Sequence, residues 1–230
     1  MADLERSERY LQLFEKIPRL HFSISRNLSM QFRPSKNLFI HIDCDCFFAS
    51  CEMMRDPSIR DKCVCVGGDI VLTSNYRARK YGVKLGTPGW EVENMIPKGE
   101  LVMLPPDLAL YGDVSDRMNA YLANWSNRVD IFGIDESWME VTGIPECLGL
   151  GYEDFLLKVQ NDLLDQVGVP ASVGLSNTRL RAKILGEVYK PLGRAVGPSS
   201  DTFFSHAVSL HFSKIPFIGR RLQDRLRYYV

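Results

Sequence analysis

The sequence predicts an α+β fold in which an antiparallel sheet carries helices on one face, and three observations lead there. First, Leu38, Ile40, Ile42, Cys44 and Cys46 alternate with His41, Asp43 and Asp45, the period-two pattern of a strand with one buried face. Second, residues 129–141 read as two strands that meet at Asp135-Glu136, a hairpin. Third, with an insertion after the first strand set aside, the predicted elements run strand, helix, strand, strand, helix, strand. That order is the ferredoxin-like pattern.

Residues 1–36 stand outside this scheme; Tyr10, Leu11, Phe14 and Ile17 are spaced as one face of an amphipathic helix over 8–17. The first strand takes 37–45. The insertion, 46–106, holds a helix over 47–55, short strands at 63–66 and 70–73, and helices near Asn75 and Pro88. Then come a helix over 107–125, the hairpin, a helix over 152–167 closed by Gly168, and a strand over 170–175. With 230 residues, 45% of them hydrophobic, the chain can bury a core as one large domain or as two or three small lobes.

Asp43 and Asp45 fall on the same side of a strand that is otherwise buried. Such a pair is unfavourable without a cation, because each carboxylate raises the other's pKa and both resist leaving water. A divalent metal is the natural partner, and carboxylate oxygens suit magnesium or manganese better than zinc. Asp135 and Glu136 form a second acidic pair at the hairpin tip. If the first strand and the hairpin are sheet neighbours, Asp43, Asp45, Asp135 and Glu136 converge on the face the two helices leave open. Taken singly, each pair also fits a solvated strand end or a polar turn.

Together and in this order, these segments resemble the Y-family translesion DNA polymerases. The family's His-Ile-Asp-x-Asp-x-Phe-Phe-Ala strand stands here as His41 to Ala49, and its Ile-Asp-Glu hairpin as Ile134 to Glu136. Between them, Ser74-Asn75-Tyr76-Arg77-Ala78-Arg79-Lys80-Tyr81-Gly82-Val83-Lys84 is similar to the helix whose tyrosine and second arginine hold the incoming triphosphate. Val173-Gly174-Leu175-Ser176-Asn177, then Ala182-Lys183 through Lys190-Pro191, match the last palm strand and the helix after it. The resemblance runs from about Leu38 to the C-terminus. It implies a palm of 37–45 and 107–197, fingers of 46–106, and a small helical thumb of 198–230.

The resemblance also implies roles. Asp43, Asp135 and Glu136 would be the catalytic carboxylates of two-metal nucleotidyl transfer, from a dNTP to a primer 3′ hydroxyl. Two Mg2+ ions, replaceable by Mn2+, would be held by these three side chains and the main-chain carbonyl of Cys44, with Asp45 less demanding. Phe47, Phe48, Tyr76, Arg79 and Lys190 would bind nucleotide, Arg79 by its planar fork and Lys190 as a compact charge on the helix after the last strand. Phe48 would be the steric gate against a ribose 2′ hydroxyl. Leu72 and Gly86 would roof the nascent base pair, although Leu72 and Leu85 are bulkier than some relatives carry. Low fidelity, low processivity and lesion bypass go with the family.

Formal net charge is zero, yet from Ala171 onward ten Lys and Arg stand against three acids. That basic part suits phosphate contacts with primer-template DNA. The six cysteines include no Cys-x-x-Cys pair, and Cys44, Cys46, Cys63 and Cys65 sit in apolar runs, so buried thiols are expected rather than a zinc site. No apolar run is long enough to span a membrane and Met-Ala-Asp-Leu-Glu-Arg is not a secretion signal, so the expected location is cytoplasmic, or nuclear in a eukaryote. In the stretch Ile215 to Leu222, similar to a helix-hairpin-helix, Phe217 stands where the family usually has glycine. Beyond Val230 the family continues with a little-finger domain; its absence implies weak, salt-sensitive DNA binding, and a sliding clamp would be recruited through that C-terminal part.

Three other readings share parts of this pattern. A haloacid-dehalogenase-type phosphohydrolase also opens with Asp-x-Asp, but on a parallel sheet. A palm-type nucleotide cyclase shares the metal logic. A non-catalytic Y-family relative acting as a DNA-binding accessory subunit would usually have lost an acidic ligand, whereas Asp43, Asp135 and Glu136 are all present.

Overall fold

The computed structural model describes residues 37–208, 210–211 and 215–227. The helix expected over 8–17 lies outside the described residues. At the centre is β1 (Phe39–Cys44), which pairs antiparallel on one side with β6 (Glu136–Glu140) and on the other with β7 (Ala171–Ser176). With β5 (Val129–Ile131) and β8 (Arg194–Gly197) outside them, the sheet runs β5-β6-β1-β7-β8.

The alternation in β1 decides what each face does. Ile40, Ile42 and Cys44 are buried together with Met139, Val173 and Leu175 in one core. Over that face lie α4 (Leu108–Trp125) and α6 (Tyr152–Gln166), contributing Tyr111, Val114, Met118 and Leu122 from the first and Phe155, Leu156, Val159 and Leu163 from the second. Each such side chain stabilises the fold by roughly 1.5–3 kcal/mol on burial. The α4 start is fixed by Asp107, whose carboxylate accepts the Leu110 amide at 3.1 Å. The ferredoxin-like core therefore forms as its sequence pattern predicts.

One addition matters for the site. The edge strand β8 runs parallel to β7, and parallel neighbours need a crossover. That crossover is α7 (Arg179–Val188), and it packs on the sheet face opposite α4 and α6. A Cβ on Gly174 would stand 2.1 Å from the Ala182 carbonyl oxygen and 2.5 Å from the Gly186 amide nitrogen. Only glycine lets strand and helix backbones approach so closely. Helix α7 thus covers the His41 end of that face and leaves the Asp43 end accessible.

The insertion carries α1 (Phe47–Arg55), a 3-10 turn (Pro57–Ile59), α2 (Tyr76–Arg79), α3 (Gly89–Met95) and a three-stranded sheet ordered β3-β2-β4. Here β2 (Cys63–Gly67) is antiparallel to β3 (Val71–Ser74) and parallel to β4 (Leu101–Leu104). The predicted β2 and β3 are present, while β4 is an addition whose partner is distant in sequence. The Cys-Val-Cys-Val run is buried on both faces: Cys63 and Cys65 pack in the insertion's own core, Val64 and Val66 in the main one. Five of the six thiols are buried and all six are free, as expected of small hydrophobes.

A short helix α5 (Ile144–Leu148) precedes α6, and two helices close the described chain, α8 (Ser200–Ala207) and α9 (Arg220–Leu226). A capping box between Ser199 and Thr202 starts α8. Phe203 packs on Ile184, Leu185 and Ala195. No helix among the described residues is long and apolar enough to cross a membrane.

Candidate active site

The register of β1 against β6 sets Asp43 directly opposite Glu136, and the Cys44 amide donates to the Asp135 carbonyl at 2.9 Å. Acids 92 to 93 positions apart in sequence thereby share one strand-end surface. The Asp43 and Glu136 side chains are 15% and 13% exposed, enough to meet a ligand while largely withdrawn from water. One donor atom each from His41, Asp43 and Glu136 lies within 4.8 Å of the others. Asp135 occupies the hairpin tip, its Oδ1 3.4 Å from where a Cβ on Gly133 would stand.

Electrostatics divides these acids. Burial, and then the charge of Asp43, push the Asp135 carboxyl above the ordinary carboxylate range. Burial would raise Glu136 as well, but hydrogen bonds from His41 and Lys183 outweigh it and bring its pKa down to about 2. His41 Nε2 lies 3.0 Å from Glu136 Oε2, and Lys183 Nζ pairs with the same oxygen. Lys190 Nζ lies 2.8 Å from Asp43 Oδ2 and 2.6 Å from Glu187 Oε1. Burial alone would lower the Lys190 pKa; the two carboxylates, Asp43 foremost, raise it instead.

Asp45 keeps to the Asp43 side of the sheet, where Ser172, directly opposite Asp43 in the β1–β7 ladder, bonds its carboxylate. It falls just beyond the end of β1, in a turn where Cys46 adopts φ 49°. Asp45 is 4% exposed, and its oxygens accept from Ser172 Oγ at 3.0 and 3.1 Å, the Leu192 amide at 2.8 Å and Tyr76 Oη at 3.3 Å. Burial leads in raising its pKa, against these hydrogen bonds. Its place is to tie the turn after β1 to β7 and to Leu192.

Of the predicted nucleotide-binding residues, all but Lys190 stand on the insertion side. Asn75 caps α2 by accepting the Ala78 amide at 3.0 Å, which fixes where Tyr76 and Arg79 project. The Arg79 guanidinium lies 4.8 Å over the Tyr76 ring, and its Nε donates to the Ser74 carbonyl at 3.0 Å. Phe47 is buried in the main core; Phe48 is partly buried and stacks on Tyr111 with ring centroids 4.2 Å apart. Leu72 is exposed on β3, and Gly86, at φ 82°, donates its amide to the Val71 carbonyl next to it at 2.8 Å. Lys190 is not on the helix, as predicted, but just past its end, which is why it can bend back to Asp43.

Sequence reading did not give His41, Lys183, Glu187 or Ser172 a part in the site. A signal for two of them was present, since Lys183, Glu187 and Lys190 recur at the spacing of one helical face. The Asp43, Asp135 and Glu136 donors are all hard oxygens, which fits magnesium or manganese.

The fold and these convergent acids define the polymerase-palm class. The sequence profile of the impB/mucB/samB family matches residues 42–187, and the chain belongs to that family. DNA polymerase IV of Pseudoalteromonas translucida is 30% identical over 192 residues, covering 82% of this chain and 54% of the relative. DNA polymerase kappa of Arabidopsis thaliana is 30% identical over 197 residues, 85% of this chain and 29% of its own. Among solved structures, an insertion ternary complex of Dbh DNA polymerase superposes with a TM-score of 0.73 at 26% identity, covering 84% of this chain and 57% of that one. DinB from Sulfolobus solfataricus gives 0.72 at 28% identity, with 84% and 57% covered. The chain spans about half the length of the curated polymerase IV relatives it matches. A dehalogenase-type phosphohydrolase is not favoured, because β1 is antiparallel to both its neighbours.

Proposed function

We propose that this chain is the catalytic core of a Y-family DNA polymerase, which adds a dNTP to a primer 3′ hydroxyl opposite a template base, with low fidelity and low processivity, in translesion synthesis. The observation that carries this reading is the opposition of Asp43 and Glu136 across β1–β6, with Asp135 bonded through its carbonyl to the next residue of β1. In this reading residues 37–45 and 107–197 are the palm, 46–106 the fingers and 198–230 part of the thumb.

Asp43, Asp135, Glu136 and the Cys44 carbonyl would hold two magnesium ions, or manganese in their place. When bound, such ions supply activation of the hydroxyl and neutralisation of the departing pyrophosphate. The remaining work belongs to the chain. Tyr76 and Arg79 orient the β- and γ-phosphates, the guanidinium by two parallel hydrogen bonds. Lys190 sits beside Asp43 and adds a second positive contact to the triphosphate. Phe48, backed by the Tyr111 ring, forms a flat floor under the sugar and leaves no room for a 2′ hydroxyl. Leu72 and Gly86 bound the base pair from the β3 side. The basic C-terminal part contacts the DNA backbone, which makes binding salt-dependent.

Primer extension with Mg2+ at low salt tests the reading. Wild type extends, and Asp135→Ala loses at least about a hundredfold in rate, as expected when a group stabilising transition-state charge is removed. Extension by both proteins, or by neither, overturns it.

A further inference from the structure

Glu136 is held from one side only. Its Oε2 takes both His41 Nε2, at 3.0 Å, and Lys183 Nζ, while Oε1 has no protein partner among the described residues. The two groups that hold Oε2 are themselves fixed. His41 is fully buried, its ring 4.9 Å from that of Trp138. Gly186 of α7 lies behind it, where an added Cβ would stand 3.4 Å from Nδ1, in van der Waals contact. Lys183 is 13% exposed, with its ammonium 5.4 Å from the Phe132 ring and 5.7 Å from Trp138. Phe132 and Trp138 pack edge to face at 5.0 Å, and Trp138 Nε1 donates to the Arg179 carbonyl at 3.1 Å. A lysine between two aromatic faces and one carboxylate has few other places to put its charge.

We infer that Lys183 is a positioning residue for Glu136: with His41 it pins Oε2, so that the carboxylate presents Oε1 alone toward the space beside Asp43. The inference rests on the polymerase reading for its consequence and on the Glu136 anchor for its geometry. Fixing one oxygen restricts Glu136 to single-oxygen ligation in one rotamer. Magnesium demands near-ideal octahedral geometry and gains most from this restriction. The same ammonium also repels any cation that binds there, so its removal has two opposite effects. Metal binding without substrate tightens because a positive charge is gone. Turnover falls because the carboxylate is no longer held.

The test compares wild type with Lys183→Met, which keeps length and apolar bulk, and with Lys183→Arg, which keeps the charge. Mn2+ binding is read by electron paramagnetic resonance without nucleotide or DNA, and kcat and the dNTP KM by single-nucleotide insertion in Mg2+. For Lys183→Met the expected results are Mn2+ bound several-fold tighter, kcat lowered about tenfold or more and the dNTP KM within about twofold of wild type, with Lys183→Arg recovering most of kcat. Weaker Mn2+ binding together with lower kcat marks a merely structural lysine and overturns the inference, as does an unchanged kcat. If wild type extends no primer, the polymerase reading fails by itself; the Mn2+ arm still reads the Lys183 ammonium beside the Glu136 carboxylate, and binding that does not tighten refutes that placement.

Discussion

Asp43 and Glu136 face each other across the β1–β6 ladder, yet each is neutralised by its own cation, Lys190 at 2.8 Å for Asp43 and Lys183 for Glu136. Both lysines come from one crossover, Lys183 from within α7 and Lys190 from just beyond it. Two carboxylates brought together at a half-buried strand end would otherwise oppose folding. The charge balance of the site therefore depends on α7 lying flat on β7.

That dependence makes Gly174→Ala a severe change, although the residue touches none of the acids. The new methyl would overlap the Ala182 carbonyl and the Gly186 amide, both backbone atoms with nowhere to go. The helix has to lift, and a loss of about 3 kcal/mol or more is expected from overpacking of this kind. Urea denaturation reads the loss directly; stability within about 0.5 kcal/mol of wild type would show that α7 is free to shift.

The anchored Glu136 carboxylate gives the metal-free protein a defined pH signature. Its pKa in the folded chain is about 2, against 4.5 for the free side chain. Because the native state favours the ionised form, the contribution is complete above the unfolded value and disappears as pH falls from about 4.5 toward 2. Relative to Glu136→Gln in EDTA, wild type should be more stable by about 2 kcal/mol at pH 6, with the gap closing steadily as the medium approaches pH 3. Other carboxylates titrate in both proteins and cancel in the comparison. A pH-independent gap would mean that hydrogen bonding, not charge, holds Glu136.

Phe48→Ala separates packing from selectivity. The ring stacks on Tyr111, whose hydroxyl donates to the buried Glu52 carboxylate at 2.7 Å, so the aromatic wall survives truncation of Phe48. A stability loss of about 1–2 kcal/mol is expected for a partly buried ring, below the cost of a fully buried one. In nucleotide insertion, the ratio of dNTP to rNTP efficiency should drop by about tenfold or more while dNTP insertion persists, a change of at least about 1.4 kcal/mol in discrimination. Unaltered sugar preference would make Phe48 core alone.

The parts of this molecule that were legible in the sequence are those governed by a local period. Ile40, Ile42 and Cys44 announce the buried face of β1, and α4 and α6 begin and end within a residue or so of where their apolar spacing and caps put them. What escaped was set by partners far away. Leu101–Leu104 becomes a strand because β2 offers it a parallel edge, and Arg194–Gly197 because β7 does. Asp45 is taken up by Ser172 and the Leu192 amide, and nothing local announces these as its partners. Lys183 looked like one more helical cation; only the docking of α7 gives it Glu136.

Phe217 carries the last consequence. It takes φ 69° in the turn before α9, the left-handed region in which glycine is at ease and a bulky side chain is not. In the turn before α9 phenylalanine thus bears the strain, and the 71% exposed ring recovers little of that cost by packing. Relief of the left-handed conformation is worth about 1–2 kcal/mol, and the greater freedom of glycine in the unfolded chain takes back about 0.5–1 kcal/mol. Phe217→Gly should therefore stabilise the segment by about 0.5–1 kcal/mol, seen as slower hydrogen exchange of the α9 amides. Faster exchange would show that the ring's contacts outweigh its backbone strain.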